Sequence, residues 1–314
     1  MLLRTILGFL GRHARWALPA GVFVGIALPG LAALLRPLVT PAVIGTLTAA
    51  LLRLDWKRLA EGMRRPAFPG AIALWQLVGS PLVVWLGSTL AGLPPDLRLV
   101  LVLQAAAPPI GSAAVFALIL GLDGVLAVLG TVGATLLLPF TLTPLVGWLL
   151  PETGLSVDLA AFFLRVTLLV AAPFVLAWLT RRAVGVARLA RNDDQLAGVN
   201  VLLLVVFAIA VMDGVTARLL SDPAYIGTLL LTACGATALL HLAGFALFRR
   251  AGAASAYGAA LLSGNRNMGL MLAITAGSAG AAFSLYVGIA QIPMYFAPLA
   301  LTPFVRRSRV LLRE

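Results

Sequence analysis

The sequence predicts an all-α integral membrane protein of ten transmembrane helices, laid out as two inverted five-helix repeats. Three observations predict it. The 314-residue chain is 61% hydrophobic and only 11% charged, whereas water-soluble domains are about 45–50% apolar and about 25% charged. Its apolar residues fall into ten runs, each near the roughly 20 residues that cross a bilayer as a helix. A short string in the fifth run also returns in the tenth.

The elements follow in order. The leading stretch MLLRTILGFLGRHAR has no small-residue cleavage site, and Gly11 with Arg12 interrupts its apolar part. It reads as a short interfacial helix rather than a cleaved leader. The runs then lie at 16–35, 37–54, 67–91, 97–121, 124–150, 159–180, 195–213, 224–248, 252–278 and 280–305. Cytoplasmic loops carry the Lys/Arg excess. With the N-terminus in the cytoplasm, 18 of the 23 basic residues fall on that side, Arg36, Arg98 and Arg218 on the other, and Arg165 and Arg266 inside runs. Both termini are then expected in the cytoplasm of a cell whose inner membrane the chain spans, which requires an even number of runs.

Charge and cysteine content exclude other classes. A net charge of +12 suggests nucleic acid only when basic residues cluster on a soluble face, and here they punctuate apolar runs. The single Cys234 excludes an internal disulfide framework, and His13 and His241 are too few and too far apart to supply a metal site.

The repeated string is LTPLV at Leu142–Val146 and LTPFV at Leu301–Val305, an offset of 159 residues. Each copy closes the fifth run of its half. Because five is odd, the second half enters the membrane from the opposite side, the plan of many secondary transporters, whose sites lie at the midplane where corresponding helices are interrupted. The fourth run is interrupted by AAAPPIGSAA, where Pro108 and Pro109 remove two amide donors and Gly111 and Ser112 let the backbone open. The ninth is interrupted by SGNRNMGL, containing Ser263, Gly264, Asn265, Arg266, Asn267 and Gly269. Opened backbone must face protein or a wet cavity. These segments therefore give the candidate substrate-binding residues Pro109, Gly111, Ser112, Asn265, Arg266 and Asn267.

With the basic stretch from Arg53 to Pro66, then WQLVGSPLVVW, the broken fourth run and the Gly-x-x-Asn-x-Gly core of the ninth, the chain resembles the bile acid:sodium symporter family. That family belongs to a wider group with auxin efflux carriers and arsenite exporters. The resemblance implies panel and core domains, crossing fourth and ninth helices in the core, and movement of organic acids with sodium. It also implies ion-binding roles for Gln76, for the hydroxyls of Thr131 and Thr135, and for Ser263. The match is partial. The family's carboxylate on the ninth helix falls on Leu262, its neighbouring glutamine on Arg266, and a Ser-Asn pair on the fourth helix falls on Ala113 and Ala114.

A guanidinium thus stands beside the place of a missing acid. An Arg at the bilayer centre costs about 2.5–3.5 kcal/mol on insertion scales unless protein groups accept its hydrogen bonds. Arg266 is expected to be a tethered cation at a former sodium position, held by opened carbonyls, Gln76 or an arriving anion; the alternative is that it snorkels to a nearby loop. The substrate expected is a small or amphipathic organic anion, with sodium coupling lost or altered. Arg165 is expected to reach outward, Asp123 and Asp213 to act as caps or proton carriers, and His241 as a helix–helix hydrogen bonder or proton relay. No nucleophile–base or metal constellation within the runs points to an enzyme. An efflux carrier of the auxin or arsenite type, and a membrane ligand sensor, are the other readings.

Overall fold

The computed structural model describes residues 7, 14–62, 64, 66–149, 158–275 and 278–311. Among them every regular element is helical, and the one strand-like contact is an isolated antiparallel bridge between Pro109 and Arg266. The interfacial helix expected before the first run lies almost wholly outside the described residues. Hydrocarbon cannot satisfy a free peptide group, so apolar runs close their hydrogen bonds within themselves.

In chain order the helices are α1 (Ala14–Ala27), α2 (Pro29–Leu52), α3 (Trp56–Gly62), α4 (Ala67–Leu90), α5 (Pro95–Ala106), α6 (Ala113–Ile119) and α7 (Gly124–Leu149). They continue with α8 (Leu159–Val184), α9 (Val186–Arg191), α10 (Asp193–Ala210), α11 (Val215–Ser221), α12 (Pro223–Phe248), α13 (Ala253–Gly264), α14 (Met268–Thr275) and α15 (Gly280–Leu311). Seven stretches among the described residues are long and apolar enough to cross a membrane: α2, α4, α7, α8, α10 with α11, α12, and α15. The first predicted run corresponds to the shorter α1, and the fourth and ninth to the pairs α5/α6 and α13/α14. Large apolar side chains such as Leu34, Leu90, Trp148 and Leu220 are exposed, while Gln76, Gln104, Asn265 and Arg266 are wholly buried. That distribution is the reverse of a water-soluble protein and suits a lipid solvent.

The described residues form two compact units. The first gathers those within 1–55, 160–230 and 269–292 and is organised on α10. Helix α1 runs parallel to α10: a Cβ on Gly21 would meet Ala208, and one on Gly25 would meet Met212 and the Ile209 carbonyl. Helix α2 runs back along α10. Arg53 pairs with Asp193 at its start, at 2.8 and 3.0 Å, Gly45 lies against Leu203, and Arg36 pairs with Asp213 past its end. The reversal departs from the sequence reading, which ends the first run at residue 35. Helix α1 stops at Ala27 because Leu28 precedes Pro29 and is driven out of helical geometry, to φ −122° and ψ 70°. Arg36–Leu38 is only a 3-10 turn inside α2.

The second unit gathers the described residues within 56–159, 231–268 and 293–314. The basic stretch after the second run holds a short helix, α3. Helix α4 widens into one π turn at Trp75–Gly79, two residues before Pro81, whose missing N–H deprives that turn of a donor. Helix α5 ends at Ala106, because Ala107 precedes Pro108 and is extended at φ −65° and ψ 143°. Helix α13 ends at Gly264, and the chain resumes helical form at Met268. Both predicted interruptions are therefore real breaks. Pro139 and Pro144 lie inside α7, and Pro298 and Pro303 inside α15, each pair related by the offset of the repeated string.

Candidate functional site

The two breaks of the second unit meet. Ile110 donates its N–H to the carbonyl of Asn265 at 2.9 Å, and Asn267 donates to the carbonyl of Pro108 at 2.7 Å. Pro109 and Arg266 face each other at the centre of this antiparallel contact. Each interruption frees peptide groups that apolar surroundings cannot satisfy, and each supplies part of what the other lacks. The prolines set the pattern: lacking N–H groups, positions 108 and 109 can only accept.

Arg266 occupies the middle of this crossing and is wholly buried. Its Nε donates to the Ser263 carbonyl at 2.5 Å, Nη1 to the carbonyls of Ala107 and Gln76 at 2.8 and 3.3 Å, and Nη2 to the Ser80 hydroxyl oxygen at 2.9 Å. Four acceptors thus serve its five N–H hydrogens. All four are neutral, and no carboxylate is buried among the described residues. Snorkelling is overturned: the cation stays inside, held by opened carbonyls. Gln76 contributes its main-chain oxygen rather than the side-chain amide that the sequence reading suggests.

The Ser80 hydroxyl lies 3.0 Å from the Gln76 carbonyl and 2.9 Å from that of Ala105, so it donates to main chain while accepting from Arg266. Ser80 was not legible as a site residue, although the Gly-Ser-Pro in which it sits marks the disturbed helix. The Gln76 side chain is buried with neither amide atom partnered among the described residues, and the Ser112 hydroxyl is likewise buried and unpartnered. Thr131 and Thr135 are buried and donate to the carbonyls of Ala127 and Thr131, which leaves oxygen lone pairs unspent. Ser263 donates to the Ala259 carbonyl and accepts from the indole of Trp75 at 3.1 Å. Gly111 is half-buried within the first break, and Asn267 is buried. Leu262 is fully buried and packs where a Cβ on Gly130 would strike it.

A second buried network joins this crossing to α12 and α15. His241 Nδ1 lies 2.7 Å from the Thr237 carbonyl, and Nε2 lies 2.9 Å from Asn265 Oδ1. Asn265 Nδ2 donates to the Met294 carbonyl at 2.9 Å. Gln104 Nε2 donates to the Thr237 hydroxyl oxygen at 3.3 Å. A Cβ on Gly264 would overlap the His241 ring, so only glycine lets the ring reach Asn265. The outlying acids behave as caps and partners: Asp123 accepts from the N–H groups of Val125 and Leu126, and Asp213 pairs with Arg36. Arg165 is exposed on α8. Among the described residues no group of His, Cys, Asp and Glu has the makings of a metal site.

No curated protein matches the chain in sequence. Residues 40–220, more than half of it, match a family of transporters rather than enzymes. With apolar helices that make it a multi-pass membrane protein and a match of that extent, the chain belongs to the Sodium Bile acid symporter family.

Proposed function

We propose that the chain is a secondary carrier that moves a small or amphipathic organic anion by alternating access through the crossing at Pro108–Ser112 and Ser263–Asn267, and that it does so without sodium. The family points to a sodium-coupled solute transporter. The reading departs from that coupling because of Arg266 and Leu262. The observation that carries the reading is the full burial of the Arg266 guanidinium among neutral acceptors, two of them carbonyls at the helix breaks. A fixed cation there supplies the charge that a bound ion would bring, and Leu262 removes the acid that would offset the dehydration of an ion. Since four of its five N–H hydrogens are spent on the protein, Arg266 acts on an anion mainly through its charge and by holding the crossing together. Pro109, Gly111, Ser112, Asn265 and Asn267 are the groups nearest in sequence for direct contact, and Gln76, Thr131, Thr135 and Ser263 are former ion ligands.

The reading includes ten crossings in two inverted repeats, panel and core domains, and both termini in the cytoplasm. The test is uptake of radiolabelled cholate by proteoliposomes in sodium chloride and in choline chloride. The parent is expected to transport equally in both. Arg266→Gln, which keeps an amide donor but removes the charge, is expected to lose at least ten-fold in either salt. A steep sodium requirement in the parent would overturn the proposal.

A further inference from the structure

The chain of bonds running from Thr237 through His241 and Asn265 to Met294 does not balance with neutral groups. Its two ends are main-chain carbonyls, which only accept. Between them lie an imidazole and a carboxamide. A neutral imidazole offers one N–H and one bare nitrogen, and a carboxamide one oxygen and one NH2 group. If Nδ1–H donates to the Thr237 carbonyl, the bare Nε2 needs the NH2 of Asn265, and the amide oxygen then confronts the Met294 carbonyl. Turning the amide moves the conflict to His241 and does not remove it. The conflict persists whichever way the amide oxygen and nitrogen are assigned. One additional proton resolves it: with both ring nitrogens protonated, Nε2–H donates to Oδ1 and Nδ2–H to Met294, in the observed arrangement of atoms.

We infer that His241 is a proton-binding site built into the crossing, and that its proton is taken up and released with the anionic substrate. The inference rests on the carrier reading for its second half only. Asn265 links the two events, because its side chain accepts from His241 while its main-chain carbonyl accepts from Ile110 across the crossing. When the crossing rearranges, Asn265 Oδ1 leaves the ring and the reason for the second proton is gone. The groups against the ring are Thr237 on its own helix and Gly264 and Asn265 at the end of α13, with Met294 on α15 reached only through the Asn265 amide. The charged group acting on it is Arg266, and no buried carboxylate among the described residues offsets the two. Two like charges in low dielectric repel, and an arriving anion relieves that repulsion. Proton and anion thereby bind more readily together than apart.

The test uses the full chain in lipid nanodiscs, labelled with 15N-histidine. The sequence has two histidines, so His13→Gln leaves His241 as the remaining signal. At neutral pH with saturating cholate both ring nitrogens of His241 are expected in the protonated range with nearly equal shifts. One protonated and one bare nitrogen, widely separated, would overturn the proton site. Asn265→Ala is expected to return the ring to the neutral pattern; if that variant fails to fold, the parent spectrum decides alone. Cholate uptake is expected to rise several-fold under a gradient acidic outside, and His241→Gln to lose that stimulation. Uptake indifferent to the gradient would overturn the coupling. A neutral ring with intact sodium-independent uptake would sink this inference and leave the carrier reading standing, whereas a charged ring without uptake would do the reverse.

Discussion

Burying an arginine without an acid shifts the whole cost of desolvation onto hydrogen bonds. Each bond from a charged donor returns about 1.5–3 kcal/mol, and leaving one unmade costs about as much, so the four acceptors around Arg266 are individually significant. Ser80 is the one of them that a substitution can delete, the others being main-chain carbonyls. Ser80→Ala is expected to destabilise the protein by about 1–3 kcal/mol, read as a lower thermal midpoint in detergent. Ser88→Ala on the same helix removes only a bond to the Trp85 carbonyl three residues back and is expected to change the midpoint little. Equal effects would contradict the assignment of Ser80 to the cation. The sequence pointed to Arg266 through its chemical oddity, a charge inside an apolar run. It did not point to Ser80 or to the carbonyls of Gln76 and Ala107, because a carbonyl becomes a ligand only where a helix opens.

Among the elements, the helix breaks were the most legible features and the helix contacts the least. Pro108, Pro109 and the Asn-Arg-Asn segment contradict a continuous helix locally, so the breaks follow from local chemistry. The end of α1 at Ala27 followed the same rule at Pro29, yet the apolar run continued past it and concealed the boundary. The π turn at Trp75–Gly79 depends on a proline further along the helix, and periodicity alone does not reveal it. Contacts between helices depend on which glycines face a neighbour. Gly21 and Gly25 form a small-xxx-small pair that brings α1 against α10. Gly25→Val is expected to force α1 away from Met212 and the Ile209 carbonyl, at roughly 1–3 kcal/mol. Gly87→Val meets nothing within 4 Å and serves as the control. Thermal midpoints of the two variants check the prediction, which fails if they shift together.

For the whole molecule, the ion pairs of the first unit give the charge distribution a geometric form. Arg53 with Asp193 and Arg36 with Asp213 mark opposite ends of α10, some twenty residues or about 30 Å apart along a helix, close to the thickness of a bilayer's hydrocarbon core. The stretch rich in basic residues from Arg181 at the end of α8 to Arg191 at the end of α9 belongs to the Arg53 end: Arg181 donates to the carbonyls of Leu52 and Leu54. A bias of that kind orients a membrane protein with its basic end inward. This predicts sidedness for individual residues. Cys234 is the single cysteine of the sequence and is exposed, so Cys234→Ser gives a background for labelling. In intact cells a membrane-impermeant maleimide is expected to modify Asp213→Cys and Arg36→Cys, and to reach Asp193→Cys and Arg53→Cys only after permeabilisation. Testing both members of each pair controls for loss of the ion pair itself, because a variant that opens the structure would label without regard to side. The reversed pattern would place the basic end outside and remove the argument from charge. Labelling of all four from one side would mean that α10 does not cross the membrane, and with it the two-sided carrier would fail.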